Sequence, residues 1–527
     1  MSIKSAFSLD SLKNKDKIKD TIPCRIEIIQ ELLRGKHLKC LVDFDNSDTE
    51  YFLPTRENDN ASGDSYDTRI ILKKRFHDFT NVISQIGGKL KYVKSGTTGH
   101  TFRGETVDNF GTFEYGVKVV AFPRKERYGG TTDIRRPENA ELMMIKLLSY
   151  FIIKRQTPHI VLPIGTFDTN INVFVDLIDR NVVNCKNEKY NEFIQKYKEG
   201  SYFDTVSILI SEWANRGDLL DFLRKNYEHF THIHWKVIFF QILSVLAVIQ
   251  SKYPSFRHND LKANNVLIHK IAKQNGSICT YKVVRSVYKV PNIGYHIKLW
   301  DFDFACIPGI VDNKKVECQW TKEINVTPTQ NRYYDIHYFF NTLIKKAFCP
   351  EIMTSNSVPN DVKEFINRVV PKKYQKTDTE FIHKRGRILI NDEYVTPDEL
   401  LKHDPFFEEF RVTNENQKPT SNLNNDDKYK DVKKSFTKNN SKPEKKTNTI
   451  DLTKFLRSES PEHKTNINVS KILKGGDKEV KKKKKNNDHE EIKPKKVNKK
   501  KKSKSRTISS EIRDLDPNLI LKYSTSS

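Results

Sequence analysis

A chain of 527 residues with a formal net charge of +25 has room for one large domain or two to three ordinary ones, and so for a sizeable buried core. Its seven scattered cysteines include no C-x-x-C pair, which argues against a disulfide framework or a zinc site and fits a reducing intracellular compartment. Most of the positive excess lies beyond Arg411, so the charge is mainly a property of the tail.

The opening MSIKSAFSLDSLKNKDK lacks the uninterrupted apolar stretch of a secretory signal. Short apolar runs such as RIEIIQELL then mix with polar clusters, ending in RENDNASGDS, which reads as a flexible joint; residues 1–65 are expected to form an extension of unknown role. From Phe76 the apolar residues Phe79, Val82, Ile83 and Ile86 recur at helical spacing until Gly87-Gly88 ends the pattern. Strands are predicted at KLKYV, HTFRG and EYGVKVVAF, a helix at PENAELMMIKLLSYFII, and further strands at IVLPIGTF, INVFVDLI and VSILIS.

After GDLLDFLRKN the pattern turns to long helices, notably HWKVIFFQILSVLAVIQ and YYDIHYFFNTLIKKAF, giving an α+β chain. The apolar window Trp235 to Ile249 is broken by Lys236, Gln241 and Ser244 and is shorter than a membrane span, so it is read as a buried core helix and no membrane association is expected. Residues 412–527, with Lys481 to Lys485 and Lys499 to Lys502 as uninterrupted lysine runs, cannot offset their ordering entropy by burial and are expected to be disordered.

The chemistry concentrates in FRHNDLKANNVLI, Phe256 to Ile268. Asp260 and Asn265 stand five apart with Lys262 between them, the spacing a phosphoryl-transfer loop needs: a carboxylate for the incoming hydroxyl and an amide for a metal ion. A polar turn would explain any one of these residues but not their joint order. Downstream, IKLWDFDFA ends an apolar run with Asp301, placed to deliver a carboxylate to magnesium. Upstream, Gly96 and Gly99 in KSGTTGHTF would let backbone approach phosphate oxygens. Lys118, on an apolar strand, needs an anionic partner; Glu141 is the candidate, with Glu138 competing.

This order of motifs resembles the eukaryotic-type protein kinase family over roughly residues 90–410, and in style the Ser/Thr kinases of large cytoplasmic DNA viruses, iridovirus-like ones among them. The resemblance implies a bilobal kinase domain over 66–411, with a β-rich lobe over about 66–212 and a helical lobe over about 213–411. It implies ATP and Mg2+ as cofactors, with Mn2+ as a substitute, and Asp260 and Lys262 as catalytic groups. ATP would be held by Gly96, Gly99, Lys118, Glu141, Glu212, Ala214 and Asp218, and the metal by Asn265 and Asp301. In this resemblance ISEWANRGDLLDFL looks like the hinge, where Glu212 and Ala214 lend backbone groups to adenine, Ser211 is gatekeeper and Asp218 lies near the ribose. Asp335 corresponds to the buried brace of the catalytic loop, and PDELLKHDPFF to the closing helix. The D-L-K-x-x-N form favours Ser or Thr acceptors.

Five features depart from the family pattern. Asn259 replaces the Arg that pairs with a phosphorylated activation loop, predicting activity without that phosphate although Thr321, Thr327 and Thr329 lie in the segment. Asp303 replaces the D-F-G glycine, which either holds the loop in one state or alters metal preference. Lys94 replaces the first phosphate-loop glycine. No clear A-P-E is present, Thr321-Lys322-Glu323 being nearest, and Tyr394 stands at the place of a late Arg. The competing readings are a small-molecule kinase of choline or aminoglycoside type, a pseudokinase scaffold, and a nucleic-acid-binding protein working through its tail. The expected partners are protein substrates, with a nucleic acid or another acidic partner for the tail, on an intracellular monomer in host cytoplasm or virion; the lysine clusters would also suit nuclear import.

Overall fold

The computed structural model describes residues 20–44 and 72–412, apart from 97, 109–110, 274–275 and 376, together with Asp514–Leu515. The expected disorder of the lysine-rich tail therefore falls outside the described residues.

The first lobe is built on an antiparallel sheet of β1 (Lys89–Ser95), β2 (Gly99–Asp108), β3 (Gly111–Pro123), β4 (Pro163–Asn170) and β5 (Tyr202–Glu212), in the order β1-β2-β3-β5-β4. Asp514–Leu515 pairs with Lys91 and Leu90 on the outer edge of β1. Among the described residues, three helices come before β4: α1 (Ile22–Leu33), α2 (Phe79–Ile86) and α3 (Pro137–Ile153). The helical spacing of Phe79, Val82, Ile83 and Ile86 buries all four in α2, and Asp78 caps its N-terminus by accepting from the Asn81 amide at 2.7 Å. α3 is buried along nearly its whole length, its charged Glu138 and Glu141 included, so it sits inside the lobe.

Residues 20–44 belong to this body instead of standing apart as an extension. Ile28, Ile29, Leu32, Leu33, Leu38, Leu41 and Val42 are all buried, and most of them join the same core cluster as the sheet. Arg25 of α1 reaches the end of β5, pairing through Nε and Nη2 with the Glu212 carboxylate and donating to the carbonyls of Pro158 and Ile160. Just ahead of α1, Asp20 accepts from the Ala272 amide at 3.0 Å and contacts His269 at 3.2 Å in the second lobe. The N-terminal segment thus touches both lobes beside their connection.

Between β4 and β5 the chain departs from the expected strand over INVFVDLI. Ile171, Phe174 and Leu177 are the residues buried there, a spacing of three, and the segment opens as a 3-10 turn capped by Asn170. A further helix, α4 (Glu188–Lys198), follows; it buries only Tyr190 and Phe193, and Tyr190 ties it back through hydrogen bonds with Leu177 and Phe174.

The second lobe holds α5 (Leu219–Asn226), α6 (His232–Lys252), α7 (Tyr334–Leu343), α8 (Asn360–Val369) and α9 (Pro397–His403). α6 is long and apolar enough to cross a membrane, but 78% of its apolar window is buried inside the protein. Phe239 and Phe240 explain this, one packed on Phe340, Phe365 and Phe406, the other on Tyr281, Tyr288 and Phe407. Two small ribbons stand against it: β6 (Val266–Lys270) with β9 (Tyr295–Leu299), and the hairpin β7 (Ile278–Val283) with β8 (Ser286–Pro291). The β7–β8 hairpin is the long insert between Asn265 and Asp301. Alternate burial of Tyr281, Val283, Tyr288 and Val290 seats it on α6.

Candidate active site

Lys118 sits on β3 opposite Leu209 of β5. Its ammonium lies 2.5 Å from Glu141 of α3 and 3.0 Å from Asp301, just beyond β9. Glu138, the competing candidate, is taken by Arg136 at 2.9 Å. Burial alone would lower the Lys118 pKa, but Asp301 and then Glu141 outweigh it and hold the group firmly protonated. Burial pushes Glu141 up to about 7 against the pull of Lys118, with Asp301 and Asp303 adding repulsion. Asp301 moves the other way, to about 2, because Lys118 outweighs its burial.

One ammonium shared among neighbouring carboxylates leaves this corner rich in negative charge. The hard oxygen donors of Asp301 and Asn265 suit a magnesium ion that also takes phosphate oxygens. Among the described residues, no group of three or more His, Cys, Asp or Glu side chains forms an all-protein metal cage.

Asp260, Lys262 and Asn265 also come together. Asn265 donates through Nδ2 to the Asp260 carbonyl at 2.9 Å and to its Oδ2 at 3.0 Å, which leaves the amide oxygen for a cation. Lys262 Nζ lies 2.9 Å from the same Oδ2. Beneath the loop Asp335, fully buried at the start of α7, accepts from the amides of His258 at 2.7 Å and Asn259 at 2.9 Å. His258 Nε2 in turn bonds the Trp300 carbonyl at 3.0 Å, linking the loop to the residue before Asp301. Asn259 and Asp301 both adopt left-handed backbone, with φ of 63° and 64°, which Asn and Asp tolerate better than most residues.

At the nucleotide end the two glycines differ. A Cβ on Gly99 would lie 1.8 Å from the Val119 carbonyl oxygen, so close strand approach explains that glycine. Gly96 faces open space: a Cβ there would find its nearest neighbour, the Gly99 carbonyl oxygen, 3.9 Å away, so it is the glycine with room beside it. In the hinge-like segment the Glu212 amide is taken by the Leu162 carbonyl at 3.0 Å. The Glu212 carbonyl accepts from Ser211 Oγ at 3.2 Å and keeps a second lone pair. Glu212 can therefore offer adenine its carbonyl but not its amide, while its side chain anchors Arg25. Ala214 is buried two residues on, and Trp213 lies against Gly116 of β3. Asp218 caps α5 by accepting from the Asp221 amide at 2.9 Å, so its carboxylate already has a structural duty.

With this geometry in place, comparison with known proteins is decisive. A family model described as poxvirus serine/threonine protein kinase matches residues 131–408, over half of the chain. A putative serine/threonine-protein kinase of Acanthamoeba polyphaga mimivirus is 44% identical over 405 residues, covering 76% of this chain and 82% of the relative. The chain belongs to the poxvirus serine/threonine protein kinase family. Among further relatives of this kinase, serine/threonine-protein kinase 2 of fowlpox virus is 30% identical over 228 residues, 42% of this chain and 47% of the relative. The monkeypox virus protein of the same name is 28% identical, over 43% of this chain and 45% of the relative. The kinase thus spans about half the length of these poxvirus relatives.

Arg257 and Asn259 both donate to the segment that carries Thr327 and Thr329. Asn259 Nδ2 donates to the Phe304 carbonyl at 3.1 Å and to the Thr327 carbonyl at 3.4 Å. Arg257, fully buried and stacked 3.7 Å over Tyr334, donates to Thr327 Oγ1 and the Thr329 carbonyl, both at 3.0 Å, and to the Asn325 carbonyl. Arg257 lies within the motif-bearing stretch, but nothing in its spacing distinguishes it from an ordinary surface arginine. Thr321 is fully buried and donates to the Cys318 carbonyl at 2.6 Å. The Asp303 carboxylate pairs with Lys315, and its carbonyl accepts from Asn313 at 2.9 Å, so the residue in the glycine's place pins the segment. Near Tyr394, an ion pair joins Glu393 to Arg332, just ahead of α7, through Nε at 2.9 Å and Nη2 at 2.6 Å.

Proposed function

We propose that this serine/threonine protein kinase transfers the γ-phosphoryl group of ATP to protein hydroxyls through Asp260, Lys262, Asn265, Lys118, Glu141 and Asp301. The observation that carries the reading is a pair of clusters, Lys118 with Glu141 and Asp301, and Asp260 with Lys262 and Asn265, whose segments are tied where His258 Nε2 bonds the carbonyl of Trp300, the residue before Asp301. Lys118, fixed by Glu141, positions the ATP phosphates, and Asp260 accepts the hydrogen bond of the acceptor hydroxyl and orients its oxygen. Lys262 offsets charge growing on the transferred group. Asn265 and Asp301 would hold Mg2+, which when bound would supply positive charge to offset that of the phosphates. In this reading the Glu212 carbonyl and the Ala214 amide would serve adenine, the loop of Gly96 and Gly99 would serve the phosphates, and Asp218 would stand near the ribose.

Transfer proceeds with the activation-segment threonines unphosphorylated, because Arg257 and Asn259 bind neutral groups there. The kinase acts on proteins inside a cell. A panel of acceptors tests the assignment. Labelled ATP with Mg2+ or Mn2+ is expected to label Ser and Thr of basic or acidic proteins, with choline and aminoglycosides left unlabelled. Labelling of the small molecules alone would replace this reading with the small-molecule one.

A further inference from the structure

The Asp260 carboxylate has a third partner from a distant part of the chain. Arg387, buried to 5% exposure, donates through Nη2 to Asp260 Oδ1 and through Nη1 to the Asn259 carbonyl. Nη1 also meets the Tyr334 hydroxyl at 3.1 Å, and the guanidinium lies 4.1 Å over the Tyr338 ring. Tyr334 and Tyr338 are one helical turn apart on α7, the helix that also carries Asp335. A single planar fork thus ties the catalytic carboxylate, the catalytic-loop backbone and the helix beneath them. Three separate acceptors suit a guanidinium and exceed what an ammonium can hold in fixed directions.

The arginine is presented by a tight turn. Gly386 has a φ of 86° and donates to the His383 carbonyl at 2.6 Å, while the His383 amide returns to the Arg387 carbonyl at 2.9 Å. The positive φ of Gly386 calls for glycine, whereas the Lys345 Nζ that a Cβ would meet at 1.9 Å is the end of a flexible side chain that can move aside. Asn341 of α7 donates to the Gly386 carbonyl at 2.8 Å, and Ile382 and Ile388 are fully buried on either side. Asn325 of the activation segment donates to the Ile388 carbonyl at 3.0 Å, coupling that segment to the turn.

A carboxylate offers about four lone-pair positions. Lys262 and Asn265 use the two on Oδ2, and Arg387 uses one on Oδ1. We infer that Arg387 is a positioning residue of the kinase, fixing Asp260 so that its remaining Oδ1 lone pair receives the acceptor hydroxyl. This rests on the role assigned to Asp260 above.

The test is a double-mutant cycle between Asp260→Asn and Arg387→Met, with Arg387→Lys as the conservative variant, measuring kcat and KM for ATP and for a protein acceptor. Loss of positioning on the scale of an ångström costs about 100-fold in rate, so Arg387→Met is expected to lower kcat by about that factor with KM for ATP unchanged. Arg387→Lys recovers part of the loss, and in the Asp260→Asn background Arg387→Met costs nothing further. Wild-type kcat in Arg387→Met, or the same fold-loss in both backgrounds, overturns the inference. If Arg387→Met does not fold, the same cycle is run with Arg387→Lys. If Asp260→Asn alone retains full activity, the assignment of Asp260 fails; if it is inactive while Arg387→Met is fully active, only the role of Arg387 fails.

Discussion

Asp260→Asn is expected to lower kcat by about 10²- to 10⁴-fold, the usual worth of a positioned acid–base group, while the protein remains folded. The replacement has the same shape and can turn its oxygen to Arg387, so that bond is kept. It loses the charge, however, and an amide facing Asn265 Nδ2 sets donor against donor in place of the present 3.0 Å hydrogen bond. Lys118→Met is expected to do comparable harm by a different route: Glu141 and Asp301 lose the cation that holds them 2.5 and 3.0 Å from one point. Steady-state transfer from labelled ATP, with thermal melting as the control for folding, checks both. Rates within a factor of a few of wild type in folded Asp260→Asn would remove it from the mechanism.

The second large effect is on stability. Deleting residues 1–44 strips away seven buried apolar side chains of the N-terminal segment. At about 1.5–3 kcal/mol each, that loss is on the order of 10 kcal/mol, comparable with the whole stability of a typical domain. The truncated protein is expected to be insoluble or to melt far below the full chain. Arg25→Met is a milder probe of the same contact. Burial would raise the Glu212 pKa, but Arg25 and then Lys298 bring it down to about 2 from its ordinary 4.5. A carboxyl with a lowered folded-state pKa contributes stability that is full above 4.5 and lost as pH falls toward 2. Arg25→Met should therefore be less stable at neutral pH, with the gap to wild type closing between pH 4.5 and 2. Equal melting temperatures at neutral pH would show that the pair contributes nothing.

What could be read from the sequence follows from what is local. Asp260, Lys262 and Asn265 lie within six residues, so one loop brings them together and their spacing displays it. α2, α3 and α6 were equally legible, because each carries a sustained apolar repeat. Glu141 could be named only beside Glu138, since choosing between them depends on where α3 lies relative to β3. The N-terminal helix hid behind a mean composition close to that of a polar linker, and the residue that fastens it, Arg25, finds Glu212 across 187 positions. The same distance problem hid Arg387, whose partner Asp260 is 127 positions away. In INVFVDLI the alternating pattern misled because burial there follows every third residue, and Tyr190, from the following helix, decides the conformation.

On the proposed reading this kinase needs no activation-segment phosphate, because Arg257 and Asn259 donate to neutral oxygens of Thr327, Thr329 and Phe304. The most direct measurement is the initial rate of transfer from labelled ATP to a protein acceptor by kinase treated with phosphatase. Mass spectrometry would first establish that residues 315–331 carry no phosphate, and the phosphatase would then be removed. The expected initial rate equals that of untreated kinase. A rate that collapses on treatment and returns when Thr327 or Thr329 is phosphorylated again would contradict it.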